Sequence, residues 1–492
     1  MPLRGRAERL LGREPSLAVA AGIGLLAIAA RLPGAVAYPL WQDEVASARI
    51  LSEATPWAAV ERVVDTESTP PLWYVLGWLV HHAGVPVVGV RALSVLCGGA
   101  LAFLLVLYAR RFLPPAGAAL AGTAAALGWQ FVLHGRELRA YALFALLAVI
   151  FAWLLERAVE GPPRGALWPL AAVAGAGALT HYFFLLTIAA GLLWLWTVPE
   201  AAAARRRVTG ALGLALVPFL AWLPGLIAQS EDSRLEWVAS FSLLKAAYLY
   251  STFFASAGPL YVEDHPVDIG AFEAVGRFAL LAVVLAGTVL LFRRPGAARL
   301  CALLATAPVA AGVVLWAGGV EIFTTRNFLG AAPFACVALA AVVTALPRRA
   351  ALAAGGAVVA LLSAGYAQER VLAPPPYDAA AAAIVRQGWS RGEPIAVVGG
   401  AHSLFYLGDV HAIQSPVGWY LPGHPRLSSV APATTCAEVY VVAPVSAASR
   451  IQSSAEAEAV TRAGSLTVLR LPCNDKVQEA LAAVGAGWVT AS

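Results

Sequence analysis

The chain has 492 residues, 60% of them hydrophobic and only 13% charged, with a net charge of +5 at pH 7. A soluble globular protein is about a quarter charged, so there are too few charges here to cover a water-facing surface. The sequence has no basic, aromatic-interleaved surface of the kind that binds nucleic acid, and nucleic acid is set aside as a partner.

Apolar runs of about 20 residues, the length that crosses the hydrocarbon core, recur down the chain. The first, 16–30, follows a basic stretch with Arg4, Arg6, Arg9 and Arg13. No small-x-small cleavage site ends it before Pro39-Leu40-Trp41, so it reads as an uncleaved first span rather than a signal peptide. Cytoplasmic loops carry the Arg excess, which places the N-terminus inside and sends span 1 (16–38) outward to Trp41-Gln42-Asp43-Glu44. An outer loop, 39–87, follows. Within it Leu72–His82 is apolar but too short to span, and reads as an interfacial helix. Span 2 (88–109) returns to Arg110-Arg111. Span 3 (116–133) goes out to His134-Gly135-Arg136-Glu137-Leu138-Arg139, and span 4 (140–156) comes back to Arg157 and Arg164.

Spans 5 and 6 form a hairpin with Thr180-His181-Tyr182 at its outer tip, returning at Arg205-Arg206-Arg207. Each half is short; a re-entrant hairpin would lower the count by two and keep the parity. Span 7 (208–228) exits to a second outer loop, 229–270. Span 8 returns to Arg293-Arg294, and span 9 exits toward Arg326. Span 10 returns to Arg348-Arg349, and span 11 (350–367) exits. The expectation is a polytopic α-helical membrane protein of about eleven spans.

After the breaker Pro374-Pro375-Pro376 the pattern changes. A helix-like stretch (378–387), strand-like runs at 394–399, 439–443 and 465–471, and a last short helix predict a small α/β domain. The expected division is a transmembrane catalytic domain, 1–370, and an extracytoplasmic α/β domain, 371–492. Of five cysteines, Cys97, Cys301 and Cys336 fall in spans as small core residues. Cys436 and Cys473 fall in the outer domain, where an oxidising compartment would permit a disulfide.

Four polar clusters sit on the expected outer side, where ionisable groups are functional candidates. Asp43-Glu44 reads as a helix cap in isolation, or as a general base for an acceptor hydroxyl. Asp65 to Tyr74 reads as an amphipathic anchor. The stretch His134 to Tyr141 places Arg136 and Arg139 where Arg is otherwise avoided; a local ion pair with Glu137 is the plain alternative, and bidentate binding of phosphate oxygens the functional one. His181 and Arg326 each have ordinary structural readings, and Arg326 adds another outer cation. Together these groups suit sugar transfer from a lipid-phosphate donor. A flippase for lipid-linked sugars is the rival: transporters carry ionisable groups at the midplane and internal repeats, whereas these spans read as nearly free of charge and show no repeat. A receptor or scaffold reading leaves the outer arginines unexplained.

Asp43-Glu44, Pro70-Pro71-Leu72-Trp73-Tyr74, Gly135-Arg136-Glu137-x-Arg139-x-Tyr141, Thr180-His181-Tyr182 and Arg326 occur in an order that resembles the GT-C membrane glycosyltransferases. Within them the pattern looks like the bacterial branch related to protein O-mannosyltransferases and lipid A aminoarabinose transferases. The resemblance covers about residues 15–345. It implies a polyprenyl-phosphate sugar donor, an inverting transfer, an acceptor glycan, lipid or protein, and a catalytic acid in the first outer loop. It makes Asp43 the base and Glu44 its support. Arg136, Arg139 and Arg326 become phosphate ligands, with Glu137 holding the arginines and His134, Tyr141 and His181 supporting. Members often have His before the Pro pair, where this chain has Ser68-Thr69. No cofactor is assigned; a divalent metal, held by Asp43 and Glu44 if by anything, is left open.

Overall fold

A computed structural model describes residues 14–160, 165–231, 238, 241–255, 271–320, 322–371, 374–390, 393–398, 416–424, 427–429, 437–455, 459–483 and 489–491. The chain divides into two compact units, one of residues 1–36 and 50–371, the other of residues 37–49 and 372–492.

The first unit is helical. It begins with α1 (Glu14–Ala37), the end of α2 (Gln42–Leu51), α3 (Pro56–Thr66) and α4 (Leu72–His82). There follow α5 (Arg91–Ala109), α6 (Pro115–Leu127), α7 (Trp129–His134) and α8 (Tyr141–Glu160). Next come α9 (Leu167–Thr180), α10 (Phe184–Thr197), α11 (Arg205–Ala215) and α12 (Val217–Glu231). The last are α13 (Leu243–Phe254), α14 (Ala271–Phe292), α15 (Ala297–Ala317), α16 (Ala332–Ala345) and α17 (Arg348–Val371).

Among the described residues six helical stretches are long and apolar enough to cross a membrane: Leu17–Ala37, Val87–Ala109, Tyr141–Glu160, Glu273–Phe292, Ala297–Ala317 and Arg348–Ala367. They coincide with expected spans 1, 2, 4, 8, 9 and 11. The stretches expected as spans 3, 5 and 10 contain the shorter apolar helices α6, α9 and α16, of 13 to 14 residues. Phe184–Thr197 and Pro199–Ala215 meet at a bend of 108°, and counting that pair as one crossing makes seven. The expected span 7 is divided into α11 and α12. The protein is a multi-pass membrane protein whose helices pack through small side chains. α5, α6 and α16 are neighbours and bury Gly98, Gly99 and Ala102, Gly117, Ala118 and Ala121, and Ala335, Ala338 and Ala341. Small residues let helix backbones approach closely where lipid offers no hydrophobic contrast.

The second unit holds α18 (Tyr377–Arg386), α19 (Pro416–Tyr420), α20 (Val445–Ala455) and α21 (Asp475–Ala482). Its main sheet has strands β1 (Ile395–Val397), β3 (Glu438–Pro444), β5 (Leu466–Pro472) and β4 (Ala459–Ala463), in that order. β1 pairs parallel with β3, and the other pairs are antiparallel. A separate antiparallel pair joins β2 (Leu427–Ser429) to β6 (Val489–Ala491). Side chains alternate across a strand. Tyr440 and Val442 enter a core with Tyr377, Ile384, Val417 and Leu421, while Val439, Val441 and Ala443 enter another with Ile451, Val477 and Leu481. Helices thus cover both faces, which is why β3 is a continuous apolar run rather than an alternating one. The expected α/β domain is present, with each predicted strand within a residue or two of an observed one.

Candidate active site

The most specific motif of the sequence lies in the turn between α7 and α8. α6 stops at Gly128, and α7 carries the chain to His134. The stop is held from a distance. Arg31 of α1, fully buried, donates to the carbonyls of Ala125 at 3.1 Å and Ala126 at 3.0 Å, and to Ala27 at 2.7 Å. The last carbonyls of a helix lack intrahelical partners and favour a cation. A Cβ on Gly135 would stand 2.2 Å from Arg31 Nε and 2.4 Å from the Phe131 carbonyl, so the glycine that opens the motif is required by this close approach. A Cβ on Gly34 would lie 2.5 Å from both Cδ and Nη1 of Arg136, so Arg136 lies against α1 where that helix has no side chain.

The motif residues are buried: Arg136 is 5% exposed, Glu137 4%, Arg139 6% and His134 6%. His134 Nδ1 and Glu137 Oε2 are 2.8 Å apart. Arg139 Nη1 donates to Glu67 Oε1 at 2.7 Å. The carboxylate that meets Arg139 is therefore Glu67, 72 residues earlier, and the expectation that Glu137 holds the arginines gives way to a Glu137–His134 pair. The reason is local geometry: Glu137 is one helical turn from His134 (i,i+3), the spacing at which side chains meet.

Glu67 is itself positioned. It ends α3 in an extended conformation, its N–H bonded to the Val63 carbonyl. Gln229 of α12 donates to the carbonyls of Val63 at 2.9 Å and Thr69 at 3.2 Å, and accepts from the Tyr182 hydroxyl at 2.5 Å. Tyr74 Oη lies 3.0 Å from Thr69 Oγ1. Burial pushes the Tyr74 pKa up, with Arg139 opposing and Glu67 adding to the shift. Trp73 and Tyr74 are both buried, so this pair belongs to the protein interior.

Tyr141, the first residue of α8, joins the remaining groups. Its ring is 4.7 Å from that of His134 and 5.6 Å from that of His181, and the Arg326 guanidinium lies over it at 5.8 Å. Arg326 sits in a short 3-10 turn, Thr325–Phe328, before α16. His134, Arg136, Glu137, Arg139, Tyr141, His181 and Arg326 all fall in the first compact unit.

Asp43 and Glu44 lie in the second unit. They occupy the first turn of α2, where carboxylates oppose the helix dipole. Glu44 Oε2 accepts from the Trp41 N–H at 3.4 Å, a reach from the third helical residue back to the cap that holds the turn. The segment is bonded within its unit on both sides of the acid pair. Leu40 N–H donates to Tyr420 Oη at 2.7 Å, and Arg49 Nη1 to the His424 carbonyl at 3.4 Å. Cys473 is disulfide-bonded; its expected partner Cys436 lies outside the described residues. Among the described residues no group of three His, Cys, Asp or Glu is placed to hold a metal ion.

Three cations of the helical region were not legible as such in the sequence: Arg31, Arg91 and Arg277. Arg31 and Arg91 serve helix ends, Arg91 donating to the Ala35 carbonyl at 3.1 Å. Arg277 donates to Ser251 Oγ at 3.0 Å and to Glu273 one turn away. The spans carry more charge than hydropathy suggested: Arg31 and Arg91 are met by backbone carbonyls and Arg277 by Glu273.

A family model described as dolichyl-phosphate-mannose-protein mannosyltransferase matches residues 68–224. The fold is similar to that of ArnT from Cupriavidus metallidurans in the apo state, at a TM-score of 0.52 and 13% identity, covering 94% of this chain and 98% of that one. It is likewise similar to ArnT from Cupriavidus metallidurans bound to undecaprenyl phosphate, at a TM-score of 0.54 and 14% identity, covering 92% and 97%. No curated protein matches the chain. The fold is of the kind seen in ArnT. The likeness runs to a protein mannosyltransferase model by sequence, over residues 68–224, and to ArnT by structure, the two branches that the motif order resembles.

Proposed function

We propose that the protein transfers a sugar from a polyprenyl-phosphate donor to an acceptor hydroxyl at the outer face of the membrane, with inversion at the anomeric carbon. The observation that carries this reading is the burial of Arg136 and Arg139 in one turn of a GT-C fold, with Arg326 beside Tyr141. Buried guanidinium groups are costly unless an anion meets them. Glu67 meets Arg139, and Glu137 meets His134. A phosphate is an anion that Arg binds in bidentate fashion. The ArnT of similar fold binds undecaprenyl phosphate, which supports the same class of donor here.

In this reading Arg136, Arg139 and Arg326 receive the donor phosphate. Asp43 takes the proton of the acceptor hydroxyl as its oxygen attacks the anomeric carbon. The bond from that carbon to the phosphate oxygen breaks, and the electron pair leaves with the phosphate. Cations arranged in advance around the leaving group stabilise the charge that develops there. Glu44 holds the turn that carries Asp43. No step is assigned to a metal. The arginine-rich loops expected inside, and the disulfide-bonded Cys473, support a cytoplasmic N-terminus and an extracytoplasmic α/β unit.

The test is purified protein in lipid with radiolabelled polyprenyl-phosphate sugars and a membrane extract. Label should pass to an acceptor, and Asp43→Asn should lower turnover at least about a hundredfold, since a general base contributes about 10²–10⁴. Near-normal turnover of that variant removes Asp43 from the role. Label that crosses the bilayer and stays on lipid, equally in both proteins, replaces transfer with transport.

A further inference from the structure

His181 lies between α9 and α10, 3% exposed, with its ring stacked on Phe144 at 4.6 Å and 8°. The Phe183 N–H donates to Nδ1 at 3.2 Å, so in the neutral ring the proton sits on Nε2. That Nε2 is buried and has no hydrogen-bond partner. A buried donor left unmade costs about 1–3 kcal/mol, and native proteins rarely carry one without a use.

Several buried indole N–H groups, those of Trp73, Trp129 and Trp194, also lack partners. His181 differs in its surroundings, because the charges of Arg326 and Arg139 act on it and the Tyr141 ring beside it lies under Arg326. The stretch that supplies Arg326 holds another buried polar atom without a partner, Thr324 Oγ1. An uncharged donor next to guanidinium groups calls for an anionic oxygen. We infer that His181 is a binding residue for the lipid donor, its Nε2–H donating to a phosphate oxygen that the arginines neutralise. This rests on the reading that these arginines receive a phosphate. A neutral imidazole adds a directional bond without adding charge, so it fixes which oxygen faces which group. Burial and the two arginines keep the ring neutral, with its pKa lowered from 6.5 to about 3, and so keep the proton where this bond needs it.

Asn and Gln separate the two ring nitrogens. His181→Asn retains an acceptor near Nδ1 and loses the far donor; His181→Gln retains a donor near Nε2. Binding is measured on the full-length protein in nanodiscs doped with undecaprenyl phosphate, with melting temperature as the fold control. His181→Asn should weaken binding about tenfold or more, the size of a bond to a charged group, with melting unchanged. His181→Gln should stay within about threefold of wild type. Wild-type affinity in His181→Asn overturns the inference. If Arg139→Gln still weakens binding in that case, the phosphate reading survives; if it does not, both fall. Should His181→Asn not fold, His181→Phe takes its place, with the same loss expected and equal affinity overturning the inference. Inorganic phosphate alone separates a lipid-borne group from a free one: binding at least about a hundredfold weaker than the lipid is expected, and equal affinity overturns the lipid assignment.

Discussion

The His181 imidazole is held at a pKa of about 3, first by burial and then by the Arg326 and Arg139 charges. In the unfolded chain the same ring titrates near 6.5. Below that pH the unfolded state takes up a proton that the native state refuses until about 3. Stability linked to this group is therefore complete above about pH 6.5 and is lost as pH falls toward 3. The thermal midpoint of the wild type should drop across that window, and His181→Gln should show a shallower drop; parallel curves would mean that other groups set the acid limit. The Arg139–Glu67 pair belongs to the same scale. Both partners are almost fully buried, and removing one partner of a buried pair costs about 3–5 kcal/mol. Arg139 was legible from its motif. Glu67 was only one acid among several in the first outer loop, and nothing in a linear pattern says which carboxylate crosses 72 residues to meet it.

At the level of elements, α1 does more than span. Arg31 anchors the end of α6, and the bare backbone at Gly34 receives Arg136. The two glycines of this region should respond differently to alanine. At Gly34 the atoms nearest the new Cβ are those of the Arg136 side chain, so Gly34→Ala should fold with a midpoint near wild type and bind donor less well, as a displaced Arg136 requires. At Gly135 the Cβ meets the Phe131 carbonyl as well as Arg31, and backbone cannot step aside. Gly135→Ala should destabilise by about 1–3 kcal/mol, the usual cost of overpacking. Thermal unfolding in detergent beside donor binding separates the cases; loss of stability in Gly34→Ala with binding intact would contradict the account of Arg136. The period and composition of α1 announce a membrane helix, and its basic residue near the end resembles an interfacial arginine. Its inward course was set by the Gly98 and Gly135 gaps of two other elements.

The whole molecule divides unevenly along the sequence: residues 37–49 belong to the same compact unit as the C-terminal α/β region. The stretch 39–87 is thus shared, with Asp43 and Glu44 in one unit and Glu67 in the other. The thiol state reports on the compartment. Alkylation of unfolded, unreduced protein should label Cys97, Cys301 and Cys336, which are free, and label Cys473 only after reduction. Modification of Cys473 without reduction would remove this support for an extracytoplasmic domain, since disulfides persist in oxidising compartments.

The membrane character, the order of the apolar helices, the α/β character of the C-terminal region and the positions of the motif arginines were all legible in the linear chain. These follow from composition, from short apolar strand-like runs and from runs of bilayer length, all of which are local properties of a chain. It took the folded arrangement to show that Glu67 meets Arg139, that Glu137 meets His134, that His181 keeps a buried donor without a partner, and that the Asp43 segment packs with a region more than 300 residues away. The physical reason is range. Helix formation depends on neighbours within a turn or two, whereas the pairing of buried charges depends on which elements the fold brings within hydrogen-bond distance.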